Sequence, residues 1–159
     1  MARANPSHGL FQADITLPQS AARGVLYFPR MTIANLDHAL AQVTDHWSPH
    51  VIARVNDSYV KVAKVEGVLT WHKHDREDEL FWIVRGRLRI EYEGGRFVDL
   101  GPGDMHVVPR GTMHNPVAEE ECWIVLIEPV STAHTGDVVM EKTRSIEDQL
   151  GGATPEARE

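Results

Sequence analysis

The chain has 159 residues, 42% of them hydrophobic and 25% charged, which fits one soluble globular domain able to bury its own apolar core. A net charge of −7 sets nucleic acid aside as a main partner, and no apolar run reaches the ~20 residues of a membrane-spanning helix. The single cysteine, Cys122, permits no internal disulfide and lies in the apolar run CWIVLIEP, so it reads as a buried thiol in a cytoplasmic protein.

Residues 1–30 mix proline and glycine turn signals without a sustained period and read as an irregular N-terminal arm, so a chain beginning at Met31 is expected to fold. In TIANLDHALAQVTDHW, Ile33, Leu36, Leu40, Val43 and Trp47 recur at three- and four-residue steps. That spacing predicts one short N-terminal amphipathic helix, capped by Thr32 or Asn35. From Val51 the period becomes two, and glycine, proline and Asn-Asp turns cut the chain into VIARV, YVKVAKV, VLTWH, LFWIV, RLRIEY, RFVDL, MHVVP, NPVA and CWIVLIEP. So many short strands predict an all-β sandwich or barrel, with one domain spanning residues 31–130. Arg85, Arg87 and Arg89 read as a solvated outer face. Residues 131–159 form a polar C-terminal tail, with a short helix expected near Arg144 to Leu150 and disorder in the last nine residues.

Chemistry concentrates in two stretches. In VLTWHKH, alternation aims Thr70, His72 and His74 at one face, and on the next strand Glu79, Phe81 and Ile83 share a face, so Glu79 can return to the histidine pair. The second stretch, GPGDMHVVPRGTMHNP, brings His114 after a turn at Pro109 and Gly111. Three imidazoles and one carboxylate would then converge, a donor set that suits a divalent transition metal and leaves about two octahedral positions open.

These stretches resemble the two motifs of the cupin superfamily. The first runs His72-x-His74, four residues, Glu79, six residues, Gly86; the second runs Gly103, five residues, Pro109-x-Gly111, two residues, His114. The 16 residues between Gly86 and Gly103 are similar to the separation in compact microbial single-domain cupins of the conserved-barrel type. Two positions depart from the pattern: the opening glycine, Gly67, sits one residue nearer the histidines, and Ala118 stands where asparagine is common. The resemblance implies a jelly-roll β-barrel, a homodimer, and one divalent metal (Fe, Mn, Zn, Ni or Co) held by His72, His74, Glu79 and His114.

Residues in phase with this set, Thr70, Phe81, Ile83, Met105, Ile124 and Leu126, are the expected substrate pocket, joined by Leu88, Ile90, Tyr92 and Val107. The mostly apolar lining points to a small molecule that chelates through carbonyl, enol or carboxylate oxygen. The expected activity is a dioxygenase or an isomerase or lyase; the alternative is a metal-containing binding or sensing protein without turnover. Glu79 and Tyr92 are the candidate catalytic residues: Glu79 as ligand or displaced general base, Tyr92 with His106 and Asp99 as the other bases near the motif. His106 reads as a strand-face or core residue, His134 lies outside both motifs, and Trp71, Trp82 and Trp123 read as packing between sheets or across a subunit contact.

Overall fold

The computed structural model describes residues 33–151, so the arm at 1–30, the Thr32 cap and all but the first of the nine C-terminal residues expected to be disordered lie outside the described residues; that first one, Gly151, is helical. Helix α1, Leu36–Ala41, is far shorter than the periodic segment that predicted it. Asn35 opens it: the side-chain carbonyl accepts the His38 amide at 2.9 Å, satisfying a donor that every helix start leaves without a partner. The helix stops early because Trp47 is claimed by the sheet. Its backbone takes a left-handed φ of 56°, its amide donates to Lys64 O at 2.9 Å, and its indole N–H donates to Glu66 O at 2.7 Å. The three- and four-residue pattern survives as burial of Leu40, Val43 and Trp47, while Ile33 is left exposed.

Seven strands follow: β1 His50–Val55, β2 Ser58–Val68, β3 Glu79–Arg85, β4 Leu88–Tyr92, β5 Arg96–Leu100, β6 Met105–Val108 and β7 His114–Pro129. Every pairing is antiparallel, in the order β1-β2-β7-β3-β6, with β4 joining β7 to β5. Strand β7 is the spine of this jelly-roll barrel. One edge pairs β2 along its length; the other takes β4 against His114–Val117 and β3 against Trp123–Ile127. NPVA and CWIVLIEP, expected as two strands, are therefore one. The acidic residues between them form a bulge, since Val65 pairs Cys122 while Gly67 already pairs Ala118. VLTWH, expected as a strand, leaves β2 after Val68 and returns only as an isolated bridge between His72 and His114.

Alternation sorts two cores. Ala63, Val65, Phe81, Ile83, Ile90 and Ile124 fill the barrel, while Val62 and Val125 on the outer face are covered by Ala39, Leu40 and Val43. Each fully buried Leu or Ile contributes about 1.5–3 kcal/mol. Trp82 and Trp123 pack partly buried on the outer cluster, whereas Trp71 is exposed. Cys122 is buried, and burial pushes its thiol up to about 12.

Strand β6 corrects the expected pocket. Phe81 pairs His106 and Glu79 pairs Val108, so the even residues of β6 share the barrel face, and Met105, 64% exposed, lies outside with Val107. The parity is set by the preceding turn, where Asp104 accepts the Gly101 amide at 2.8 Å and Gly103 N–H reaches Ile83 O at 2.8 Å; alternation alone does not carry across such a turn. At the β3–β4 turn, Gly86 has a φ of 82°, and a Cβ there would stand 2.7 Å from Glu121 O and 2.9 Å from Cys122 Cα. Only glycine meets both demands.

Beyond β7 the polar segment runs through hydrogen-bonded turns into α2, Ile146–Gly151, where Ser145 and Asp148 cap one another's amides. No helix among the described residues is long and apolar enough to cross a membrane.

Candidate metal centre

Three separate pieces of chain deliver the four ligand candidates to the barrel interior. His72 and His74 lie on the loop after β2, Glu79 is the first residue of β3, and His114 is the first of β7. His72 and His114 exchange backbone hydrogen bonds, each amide reaching the other's carbonyl at 2.9 Å. The turn of the second motif docks on the first: Gly111 N–H donates to His74 O at 2.6 Å, and Arg110 N–H donates to Asp78 Oδ1 at 2.9 Å.

The rings are oriented as ligand rings. Carbonyl oxygens only accept, so Nδ1–H of His72 donates to Thr70 O at 3.0 Å and Nδ1–H of His114 donates to Thr112 O at 3.1 Å. In the neutral ring each Nε2 is then a bare lone pair. Glu79 Oε2 stands 3.3 Å from Nε2 of both His74 and His114. Among the described residues, Nε2 of all three histidines and Glu79 Oε2 have no hydrogen-bond partner, although all four side chains are buried. Where Nδ1 is the donor, as in His114, a bare Nε2 facing the Glu79 carboxylate at this distance is unfavourable unless a cation lies between them. The four ligand atoms fall within 4.8 Å of one another. Metal–ligand bonds of about 2.0–2.2 Å place donors roughly 3–4.4 Å apart, so the residues fit a transition-metal ion once the widest pair closes by a few tenths of an ångström.

The titration shifts follow from burial and from these same contacts. Burial pushes His72 down, helped by His114, against the pull of Glu79 and the Thr70 carbonyl. His74 also loses solvent, but the Glu79 carboxylate outweighs this and raises it. Burial alone would raise Glu79; contact with His114 and His74 overrides it and holds the carboxyl well below its usual range.

Two polar features near this set carry no motif. The register Leu80↔Ile127 puts Glu128 beside Glu79 on the same face, and Glu128 is ion-paired with Lys61, both fully inside the barrel. Burial and then the Glu79 charge push Glu128 up to about 7, against the pull of Lys61. Parity was the available signal, since Lys61 alternates with Ala63 and Val65, and Glu128 with Ile124 and Leu126. The second feature is His134. It lines a cavity of about 20 Å³ together with His72, Glu79, Phe81, Ile124 and Leu126. That is room for one water-sized group.

Of the expected pocket residues, Phe81, Ile124 and Leu126 line this cavity, Ile83 is packed in the barrel core, and Met105 is outside. Thr70 takes part through its carbonyl, which orients His72. Tyr92 lies across from His114 in the sheet, but its hydroxyl is engaged with His106 Nε2 at 2.6 Å, and burial raises it. It opens instead on a groove of about 700 Å³ shared with Trp71 and Met113, the residues preceding His72 and His114.

The family model for the cupin domain matches residues 58–128, which include all four ligand candidates. A cupin-2 domain containing protein from Shewanella frigidimarina is 41% identical, with a TM-score of 0.59 over 61% of this chain and 94% of that one. Protein NMB1881 from Neisseria meningitidis is 31% identical, with a TM-score of 0.57 over 61% of this chain and 98% of that one. The uncharacterized protein YdbB of Bacillus subtilis (strain 168) is 36% identical over 63 residues, a match spanning 40% of this chain and 56% of that relative. With its barrel, its two motifs and these relatives, the chain belongs to the cupin family.

Proposed function

We propose that this cupin holds one divalent transition metal through His72, His74, Glu79 and His114 and is an enzyme acting on a small, oxygen-chelating molecule. The observation that carries the reading is the convergence of four buried ligand atoms without hydrogen-bond partners in a ring oriented by the Thr70 and Thr112 carbonyls. A bound metal supplies Lewis acidity toward a carbonyl, or a site for dioxygen when it is iron. The chain's own contribution is to fix the donors and to exclude water. Phe81, Ile124 and Leu126 dry one wall, and the small cavity admits a single compact oxygen function beside the ligands. Glu79 is the one carboxylate in contact with the other ligands, and so the group able to hold a proton there if it leaves the metal.

The test is a turnover screen of protein loaded separately with Fe(II), Mn(II), Ni(II) and Zn(II). Diketones, catechols and hydroxy acids are followed by oxygen uptake under air and by product formation without oxygen. Metal-dependent turnover that His72→Ala abolishes is the expected result. Tight ligand binding without turnover under any metal would replace this reading with the non-catalytic binding protein. The proposal includes the homodimer: Met105, Val107 and Ile127 form an exposed apolar strip on the outer face of β6, β3 and β7, and light scattering of the purified chain checks it.

A further inference from the structure

The segment after β7 crosses the loop that carries His72 and His74. Gly136 packs on the Lys73 carbonyl, Asp137 N–H donates to Lys73 O at 3.2 Å, and Lys73 N–H donates to Asp137 Oδ1 at 3.2 Å. Two residues earlier in this strap, His134 lines the cavity beside His72 and Glu79. Its Nδ1 is met by the Arg144 amide, N to N 3.1 Å. A backbone amide only donates, so Nδ1 is the acceptor and the neutral ring carries its proton on Nε2. The tautomer is therefore opposite to that of His72 and His114, whose Nδ1 atoms donate to carbonyls. A ring of this kind offers a cation no lone pair; it offers a donor.

We propose that His134 is a ligand-positioning residue, whose Nε2–H donates a hydrogen bond to the oxygen or anionic atom of whatever molecule occupies the cavity beside the metal. The inference rests on the metal reading above and narrows the occupant to a hydrogen-bond acceptor. Burial holds His134 neutral, down to about 4, with Lys61, His72 and Arg144 opposing a second proton and only Glu79 favouring one. The rest of the strap keeps the ring in place: Thr135 Oγ1 donates to Val138 O at 2.5 Å and pairs with Thr143 Oγ1 at 2.7 Å, and Thr143 Oγ1 accepts the Met140 amide. His134 lies outside both cupin motifs, so the strap adds a donor that the barrel strands do not provide.

The probe is fluoride, a water-sized acceptor suited to the cavity, titrated into Mn(II)-loaded protein and followed by paramagnetic broadening of its ¹⁹F resonance. His134→Phe keeps the bulk and removes the donor; His134→Gln restores an N–H near the Nε2 position. Fluoride affinity is expected to fall about tenfold in the phenylalanine variant and to recover to within about threefold in the glutamine variant, with Mn(II) content unchanged in both. Equal affinity in wild type and His134→Phe, at full metal content, overturns the role of His134 and leaves the metal reading standing. A wild-type protein that takes up none of Mn(II), Fe(II), Ni(II) and Zn(II) overturns the metal reading and this inference with it. Independently, ¹⁵N-resolved imidazole spectra of the wild type are expected to show His134 protonated at Nε2; a proton at Nδ1 would refute the assignment even if fluoride binds.

Discussion

Gly136→Ala tests how strongly the post-barrel strap supports the metal loop. Gly136 has a φ of 55°, and a Cβ added there would lie 2.0 Å from Lys73 O and 2.8 Å from Lys73 C. Both obstacles are backbone, so neither can swing aside as a flexible side chain would. An L residue in the left-handed region costs roughly 1–2 kcal/mol. Relief of the clash must also separate Asp137 from Lys73, losing two hydrogen bonds of about 1 kcal/mol each. The combined loss is about 3–4 kcal/mol, which lowers the melting temperature by about 10 °C for a domain of this size. Because Lys73 stands between His72 and His74, displacement also moves the ligands, and metal affinity is expected to fall at least tenfold. Thermal melts of metal-free protein and competition with a chelator on metal-loaded protein read the two effects separately. A variant melting within about 1 °C of wild type, with equal metal affinity, would refute the reasoning about the strap.

Removing one member of the buried Lys61–Glu128 pair strands the other, so Lys61→Met is expected to cost about 3–5 kcal/mol in urea unfolding, while Lys61→Met with Glu128→Leu recovers most of it; equal losses in both would contradict the pairing. Glu128 is raised to about 7 in the fold from the usual carboxylate value, so its stabilising contribution is full below about 4.5 and is lost as pH rises through about 7. Metal-free protein is expected to show this decline in denaturant midpoint over that window, and Glu128→Gln to flatten it; an unchanged slope would count against the burial of a charged Glu128. Cys122, buried and with its thiol pushed up to about 12, should not react with a thiol reagent at neutral pH until the protein unfolds; rapid labelling of the native protein would contradict its position.

The candidate ligand set is legible because each part of it obeys a local rule. His72 and His74 are two apart, Glu79 opens an alternating apolar strand, and His114 follows a Pro-Arg-Gly turn. The rest depended on register and on contacts distant in sequence. Alternation alone places Met105 inward, because it fixes relative parity within a strand but not the absolute face, which here the Gly101–Asp104 turn decides. The three- and four-residue spacing overstates the helix because Leu40, Val43 and Trp47 are buried on one side whether or not the backbone between them is helical. The acidic run Glu119–Glu121 looked like a break between strands, yet a bulge carries the ladder past it. Lys61 and Glu128 are charged residues at core parity, a signal present in the alternation but meaningful only once both strands are known to be neighbours. His134 belongs to no pattern; only the return of the strap across Lys73 brings it to the ligands.

The proposed function stands on one property, that His72, His74, Glu79 and His114 together hold a metal ion. It is tested most directly by elemental analysis of untagged protein purified without chelators, alongside His72→Ala and His114→Ala made in the same way. Close to one transition-metal ion per chain is expected in the wild type, with little or none in either variant while the barrel remains folded by circular dichroism. A wild-type chain without metal even after reconstitution, or variants that retain the wild-type content, would contradict it.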